Sequence, residues 1–270
     1  MAARKPFVAG KFYPDNKEAL TKQLKAFVPA CAKKKAIACV MPHAGYVYSG
    51  RVATETAASV EIPENIIIIG PNHSGMGGAF SLMTNDKWQT PFGEVAIQEQ
   101  IAETLLEKCP LFQEDASAHA CEHSLEVQLP ILQFLRKEKF NFVPLVIGSS
   151  HQGDCKAVAQ AIASSLAELE LTKTTLIIAS TDMTHYETHE SAQKKDSAAI
   201  GAILNLNENL LLERVLEYNI SMCGSMPTYI TLIAAKQLGA KKAELIHYQT
   251  SGETSGDYDA VVGYAGIIIA

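Results

Sequence analysis

Several common catalytic signatures are missing from these 270 residues. There is no G-x-x-x-x-G-K-[ST] phosphate loop, no G-x-G-x-x-G dinucleotide fingerprint, no G-x-S-x-G nucleophile elbow and no H-E-x-x-H zinc helix. Cysteine is present as Cys31, Cys39, Cys109, Cys121, Cys155 and Cys223, but never as C-x-x-C. That spacing excludes a zinc knuckle or a thioredoxin-type motif and fits a reducing, cytoplasmic setting. No apolar run reaches the roughly 18 residues of a membrane helix. Met1-Ala2-Ala3-Arg4-Lys5-Pro6 carries no apolar signal core. A soluble cytoplasmic protein without a membrane partner is therefore expected. Basic charge is in deficit, with 23 Lys and Arg against 29 Asp and Glu for a net charge of −6. The run Lys33-Lys34-Lys35 is too short to mark a nucleic-acid patch and reads as a solvated loop, so no nucleic-acid partner is expected. Trp88 is the single tryptophan. Internal repeats, low-complexity tracts and linkers are absent as well.

What is present is an ordinary globular composition, 47% hydrophobic and 19% charged. A chain of this length buries enough surface to fold without staples, and a single domain over 1–270 is the simplest reading. Unbroken β-branched runs mark buried parallel strands: 36–41, 65–70, 142–147 and 175–180, followed by 244–250 and 261–269. Helical patterns fall between them, at 50–60, 98–108, 153–169, 190–204 and 208–217, with one leading out of Ser221–Pro227 to Leu238. A first helix is expected from Asp15, as N-cap, to Val28. Residues 79–97, with Trp88 at their centre, read as an antiparallel excursion, and 109–121 as an irregular loop. Leu125, Leu129, Leu132 and Leu135 form a stripe at helical spacing, predicting a helix from Glu122 to Lys137 with Pro130 as a kink. The fold class is α/β, with a mostly parallel central sheet flanked by helices.

Three of the apolar runs end in loops carrying imidazole: Pro42-His43-Ala44-Gly45, Gly70-Pro71-Asn72-His73-Ser74-Gly75 and Ser180-Thr181-Asp182-Met183-Thr184-His185. Open α/β sheets bind ligands at the carboxyl ends of their strands, and neutral imidazole is the commonest metal ligand. His43 and His73 on successive strand ends thus point to a metal site, against the plainer readings of a helix cap and a turn. Asp182 and His185 face the same crevice, or Asp182 simply caps a turn. Cys223 lies in a Gly-flanked turn and is the cysteine best placed to offer a thiolate, although a lone cysteine is commonly inert. Glu122 and Glu126 read either as carboxylates favoured by a helix dipole or as acid/base or supporting groups; His123 is given no role. His151 reads as a helix start. The residues leave an open mononuclear site of two histidines and one anionic or thiolate ligand, akin to the two-histidine, one-carboxylate pattern of non-haem Fe(II) oxygenases.

His43-Ala-Gly-Tyr-Val-Tyr-Ser-Gly50, Gly70-Pro-Asn-His73, Glu122-His-Ser-Leu-Glu-Val-Gln-Leu-Pro130, Ser180-Thr-Asp-Met-Thr-His185 and Met222-Cys-Gly224 together resemble the Memo family in order and spacing. The resemblance implies a fold like that of class III extradiol dioxygenases, and a link to AMMECR-type and radical-SAM proteins. It implies His43, His73 and Cys223 as ligands of one transition-metal ion, iron or copper with zinc as an alternative, because a thiolate is softer than a carboxylate. It places His185 as an acid/base histidine with Asp182 beside it. A metal-dependent, dioxygenase-like oxidoreductase acting on a small molecule is expected. Two alternatives stand beside it: a non-catalytic protein that binds a peptide or partner in the same crevice, and a metal-dependent hydrolase.

Overall fold

A computed structural model describes residues 3–270. In chain order its elements are α1 (Lys17–Lys25), β1 (Ala38–Met41), α2 (Gly50–Ala58), β2 (Asn65–Pro71), β3 (Phe80–Leu82), β4 (Lys87–Thr90), β5 (Gly93–Ile97), α3 (Glu99–Lys108), β6 (Gln113–Glu114), α4 (Ala116–Ala120), α5 (Gln128–Leu135), β7 (Asn141–Ile147), α6 (Gln152–Glu168), β8 (Thr175–Ser180), β9 (His185–Glu187), α7 (His189–Leu204), α8 (Glu208–Glu217), α9 (Ser225–Gln237), β10 (Ala243–Thr250), α10 (Gly252–Ser255) and β11 (Val261–Ile269).

The sheet runs β10-β11-β1-β8-β2-β7-β3-β6. Its centre, β1-β8-β2-β7, is parallel throughout, with Val40 opposite Ala179 and Ile67 opposite both Ile177 and Val143. These are the strands that read as unbroken apolar runs, and the reason is burial on both faces: Ile66, Ile67, Ile68 and Ile69 are all fully buried. β11 is antiparallel to β1 and β10, and β3 to β7. Along β11 a Cβ at Gly266 would strike Thr56 of α2, whereas one at Gly263 would strike Asp196 of α7. The odd offset between them puts these helices on opposite faces. α1, α2 and α5 pack together on one side, and α3 and α6 to α9 form the other layer. Most of the buried hydrophobic residues form one continuous core.

Four local expectations are corrected. The first helix begins after Asn16, not Asp15: Asn16 is extended and its side chain accepts the Ala19 N–H at 2.9 Å. Residues 109–121 hold β6 and α4. The excursion at 79–97 contains the antiparallel β4–β5 hairpin, but β5 continues parallel to β7 through Ala96 and Asn141. Most consequentially, the helix expected from Glu122 is only α5. The Glu122 carboxylate turns back to accept the Ser124 N–H at 2.8 Å, a local bond that competes with helix formation. Pro130 then falls in the first turn of α5, where a missing N–H breaks no helical bond.

Candidate metal centre

Because β8 lies between β1 and β2, the loops after these strands leave the sheet side by side. Two strand spacings, about 10 Å, separate β1 from β2. Yet the rings of His43 and His73 stand 5.1 Å apart at 80°, so both loops lean inward over the end of β8. Ser180 closes that end, and its hydroxyl donates to the Ser124 carbonyl at 2.6 Å. With its one proton committed, it can only accept from its other neighbours. Gln128 Nε2 donates to it at 2.9 Å and to the Pro42 carbonyl at 2.9 Å. His43 Nδ1, at 3.0 Å, must therefore carry the ring proton. Nε2 of His43 is left with its lone pair. Burial first, then the neighbouring His73 and His123, hold the His43 imidazole well below its usual range, so the ring is neutral.

His73 is oriented by a different partner. Its Nδ1 stands 2.9 Å from Glu122 Oε1, and its backbone N–H donates to Glu122 Oε2 at 2.6 Å. Glu122 is fully buried. Burial alone would raise its carboxyl, but the bonds from His73 and Ser124 outweigh it and hold the group at about 2. An ionised carboxylate only accepts, so His73 Nδ1 carries a proton toward Glu122, and Nε2 is the ring nitrogen left to face a metal. An imidazole that donates its second N–H to a carboxylate is the usual support for a metal ligand.

Cys223 comes from the turn before α9. Its Sγ stands 3.3 Å from His43 Nε2 and accepts the Asp182 N–H at 3.3 Å. Gly224 makes this approach feasible: a Cβ there would sit 2.4 Å from Thr181 Cβ and 2.6 Å from the Ser180 carbonyl. Burial, reinforced by Asp182, pushes the thiol up to about 12. A bound cation reverses that preference, since a coordinated thiol is deprotonated. Donor atoms of His43, His73 and Cys223 all lie within 4.8 Å of one another. The donors fit a transition metal by chemistry as well as spacing: two imidazole Nε2 atoms and a sulfur, each side chain or main chain held from behind by a second bond.

Asp182 stands at the rim of this cluster. Its Oδ1 accepts the His43 backbone N–H at 2.8 Å, and burial pushes its carboxyl up to about 6 against the pull of that bond and of His185 and His73. Among the described residues no hydrogen bond joins Asp182 to the His185 ring. His185 begins β9, where its N–H donates to Ser221 Oγ at 2.7 Å. Its Nδ1 is shielded and unpartnered, and the ring lies outside the converging donors. His151, expected at a helix start, is the N-cap of α6.

Three participants were not foreseen. Ser180 and Gln128 set the His43 tautomer; both lie inside the motifs Ser180–His185 and Glu122–Pro130, but neither residue type by itself signals that role. His123 stacks on His73 at 4.5 Å, its Nδ1 3.6 Å from Glu122 Oε1, and the compact Glu122-His123-Ser124-Leu125-Glu126 pattern was the available signal. Glu126 turns away from the centre to Arg4.

Fold and donors define an α/β protein with a metal-competent histidine–cysteine cluster at the carboxyl ends of parallel strands. The profile of the Memo-like protein family matches residues 4–268. A MEMO1 family protein of Methanopyrus kandleri is 43% identical over 282 residues, covering 98% of each chain. One of Aquifex aeolicus is 42% identical over 271 residues, covering 99% of each. The chain belongs to the Memo family. An uncharacterized protein of Escherichia coli K12, known from a crystal structure, shares the fold with a TM-score of 0.56 at 13% identity, over 86% of this chain and 98% of that one.

Proposed function

We propose that this protein is a metal-dependent, dioxygenase-like redox enzyme whose one transition-metal ion, iron or copper, is held by His43 Nε2, His73 Nε2 and Cys223 Sγ. The observation that carries the reading is that both imidazoles have their Nδ1–H groups committed, to Ser180 and to Glu122, while the donors left over converge with a sulfur. A redox metal in such a site supplies Lewis acidity and electron exchange. The chain's own groups do the rest. Asp182 N–H steadies the sulfur, and the Asp182 carboxylate fixes the His43 main chain. His185, with its Nδ1 enclosed, offers Nε2 for proton transfer to a small-molecule substrate.

Metal analysis after anaerobic purification tests the ligand set. About one ion per chain is expected in the wild type and none in the double variant His43→Ala/His73→Ala; equal metal in both would sink the reading. Oxygen uptake by the iron- or copper-loaded protein, with catechol-like substrates among those tried, then tests redox chemistry against hydrolysis. Exposed Val47, Tyr48 and Tyr186, neighbours of His43 and His185 in the chain, support a second reading. In it the crevice binds a peptide or partner without catalysis. Partner binding that survives metal removal, with no oxygen uptake, would favour it.

A further inference from the structure

The amino-terminal segment contributes no donor to the centre, yet it is tied to two of the loops that build it. Arg4 is bridged to β4, its N–H donating to the Lys87 carbonyl and its carbonyl accepting the Gln89 N–H, both at 2.8 Å. Its guanidinium lies 3.9 Å over the Trp88 ring. From there it spends its fork on the turn that carries Glu122. Nε donates to the His119 carbonyl at 2.7 Å, Nη2 to the Glu122 carbonyl at 2.9 Å and Nη1 to Glu126 Oε2 at 2.6 Å. Glu126, fully buried, also accepts the N–H groups of Phe7 and Val8 at 2.8 and 3.0 Å and the Tyr13 hydroxyl at 2.8 Å. Farther along, the Phe12 carbonyl accepts the Tyr46 N–H at 2.7 Å, and the Phe12 ring meets His123 edge-on at 4.9 Å. Residues 4–13 thus form a strap across the Glu122–Glu126 turn and the loop after His43.

We propose that Arg4 is a positioning residue for the metal centre: by anchoring the main chain of Glu122 it aims the carboxylate that holds His73 in its Nδ1–H tautomer, and so couples metal affinity to docking of the strap. The inference rests on the metal reading above. A buried ion pair is weak evidence for stability, and an apolar pair of like volume can close a core as well. What such a pair cannot do is bond two main-chain carbonyls of the turn. The Glu122 carboxylate has to meet three donors at once, His73 Nδ1, His73 N and Ser124 N, so a small rotation of its peptide forfeits at least one of them. Lysine offers a point charge without the planar fork, so it can satisfy Glu126 and still lose the Glu122 carbonyl.

The test uses the full chain and zinc alone as probe, titrated against a chelating dye. Trp88, the only tryptophan, reports strap docking by its emission, and nitrogen-15 chemical shifts of the imidazoles report the His73 tautomer. Arg4→Gln is expected to shift the Trp88 emission, weaken zinc binding tenfold or more and scramble the His73 tautomer while unfolding remains cooperative. Arg4→Lys should lose at least threefold in zinc affinity. Exposed Lys5, changed to Ala, should alter nothing. If Arg4→Gln fails to fold, Arg4→Lys, which keeps the charge facing Glu126, decides the matter. Unchanged zinc affinity and an unchanged His73 tautomer, with only the melting temperature lowered, would overturn the proposal. Should the wild type bind no zinc, iron or copper, the metal reading falls, and the tautomer readout still decides whether Arg4 positions Glu122.

Discussion

Glu122 is not among the donors that converge with Cys223, although its carboxylate lies within 4.8 Å of donor atoms of His73 and His123, and the chemistry of His73 depends on it. Its folded carboxyl sits at about 2, below the ordinary carboxylate value near about 4.3. Stabilisation from such a depressed group is fully present above the ordinary value and is lost as pH falls through it toward about 2. Glu122→Gln should therefore cost about 1–3 kcal/mol at pH 7, with wild type and variant converging near pH 2, as read from urea unfolding at a series of pH values. A variant equally destabilised at pH 7 and at pH 2 would mean that packing, not the carboxylate, is at stake. Metal affinity should fall with it, by about 10- to 100-fold as for other lost supporting partners. His185 makes the opposite prediction. Since it stands outside the converging donors, His185→Ala should keep its metal while turnover drops by about 10²–10⁴-fold; metal loss in elemental analysis would move it among the ligands. His43, His73, Asp182 and Cys223 could be picked out from sequence because each sits in a loop after an apolar run or in a Gly-flanked turn. The partners that decide their tautomers could not, since Ser180 acts through a hydroxyl whose direction is set only by Ser124 and Gln128.

At the scale of elements, the amino end of α9 is pressed against the carboxyl end of β8, and only a glycine fits between them. Gly224→Ala places a Cβ 2.6 Å from the Ser180 carbonyl, a backbone atom that cannot swing aside. A loss of about 1–3 kcal/mol is expected from overpacking, together with weaker metal binding as Cys223 is displaced. Gly201→Ala is the control: it lies inside α7 with nothing within 4 Å of an added Cβ, and it should gain about 0.5–1 kcal/mol from helix propensity. Chemical denaturation of both variants checks the pair, and equal effects would show that the contact at Gly224 is not decisive. Most of the helices and the central strands were legible because burial leaves a mark in sequence, an apolar stripe on a helix and an unbroken apolar run on a strand buried on both faces. The segment from Glu122 was misread because its leucines do keep helical spacing. The competing bond that the Ser124 N–H donates to the Glu122 side chain sits in a turn that His73 and Arg4 also hold, partners that are distant in sequence.

For the molecule as a whole, a ligand that binds the native state alone stabilises it by about 2.7 kcal/mol at 100 times its dissociation constant. For a chain of this size that is a rise of roughly 5–10 °C in melting temperature. The rise should appear with the wild type, vanish in His43→Ala/His73→Ala and survive in His185→Ala; a rise in all three would place the ion elsewhere. No helix among the described residues is long and apolar enough to cross a membrane. By itself the sequence determined the α/β class, the four buried parallel strands and the loops where imidazoles would emerge. It could do so because burial on both faces writes an unbroken apolar run, and such a run has a carboxyl end that can be read directly. Tertiary structure alone decided that β8 runs between β1 and β2, which brings Ser180 and Asp182 between the two histidines. It alone brought Cys223 to His43 across 180 positions of chain, and Arg4 to Glu126 across 122. Contacts at such separations follow from the packing of whole elements, and no local pattern of residues encodes them.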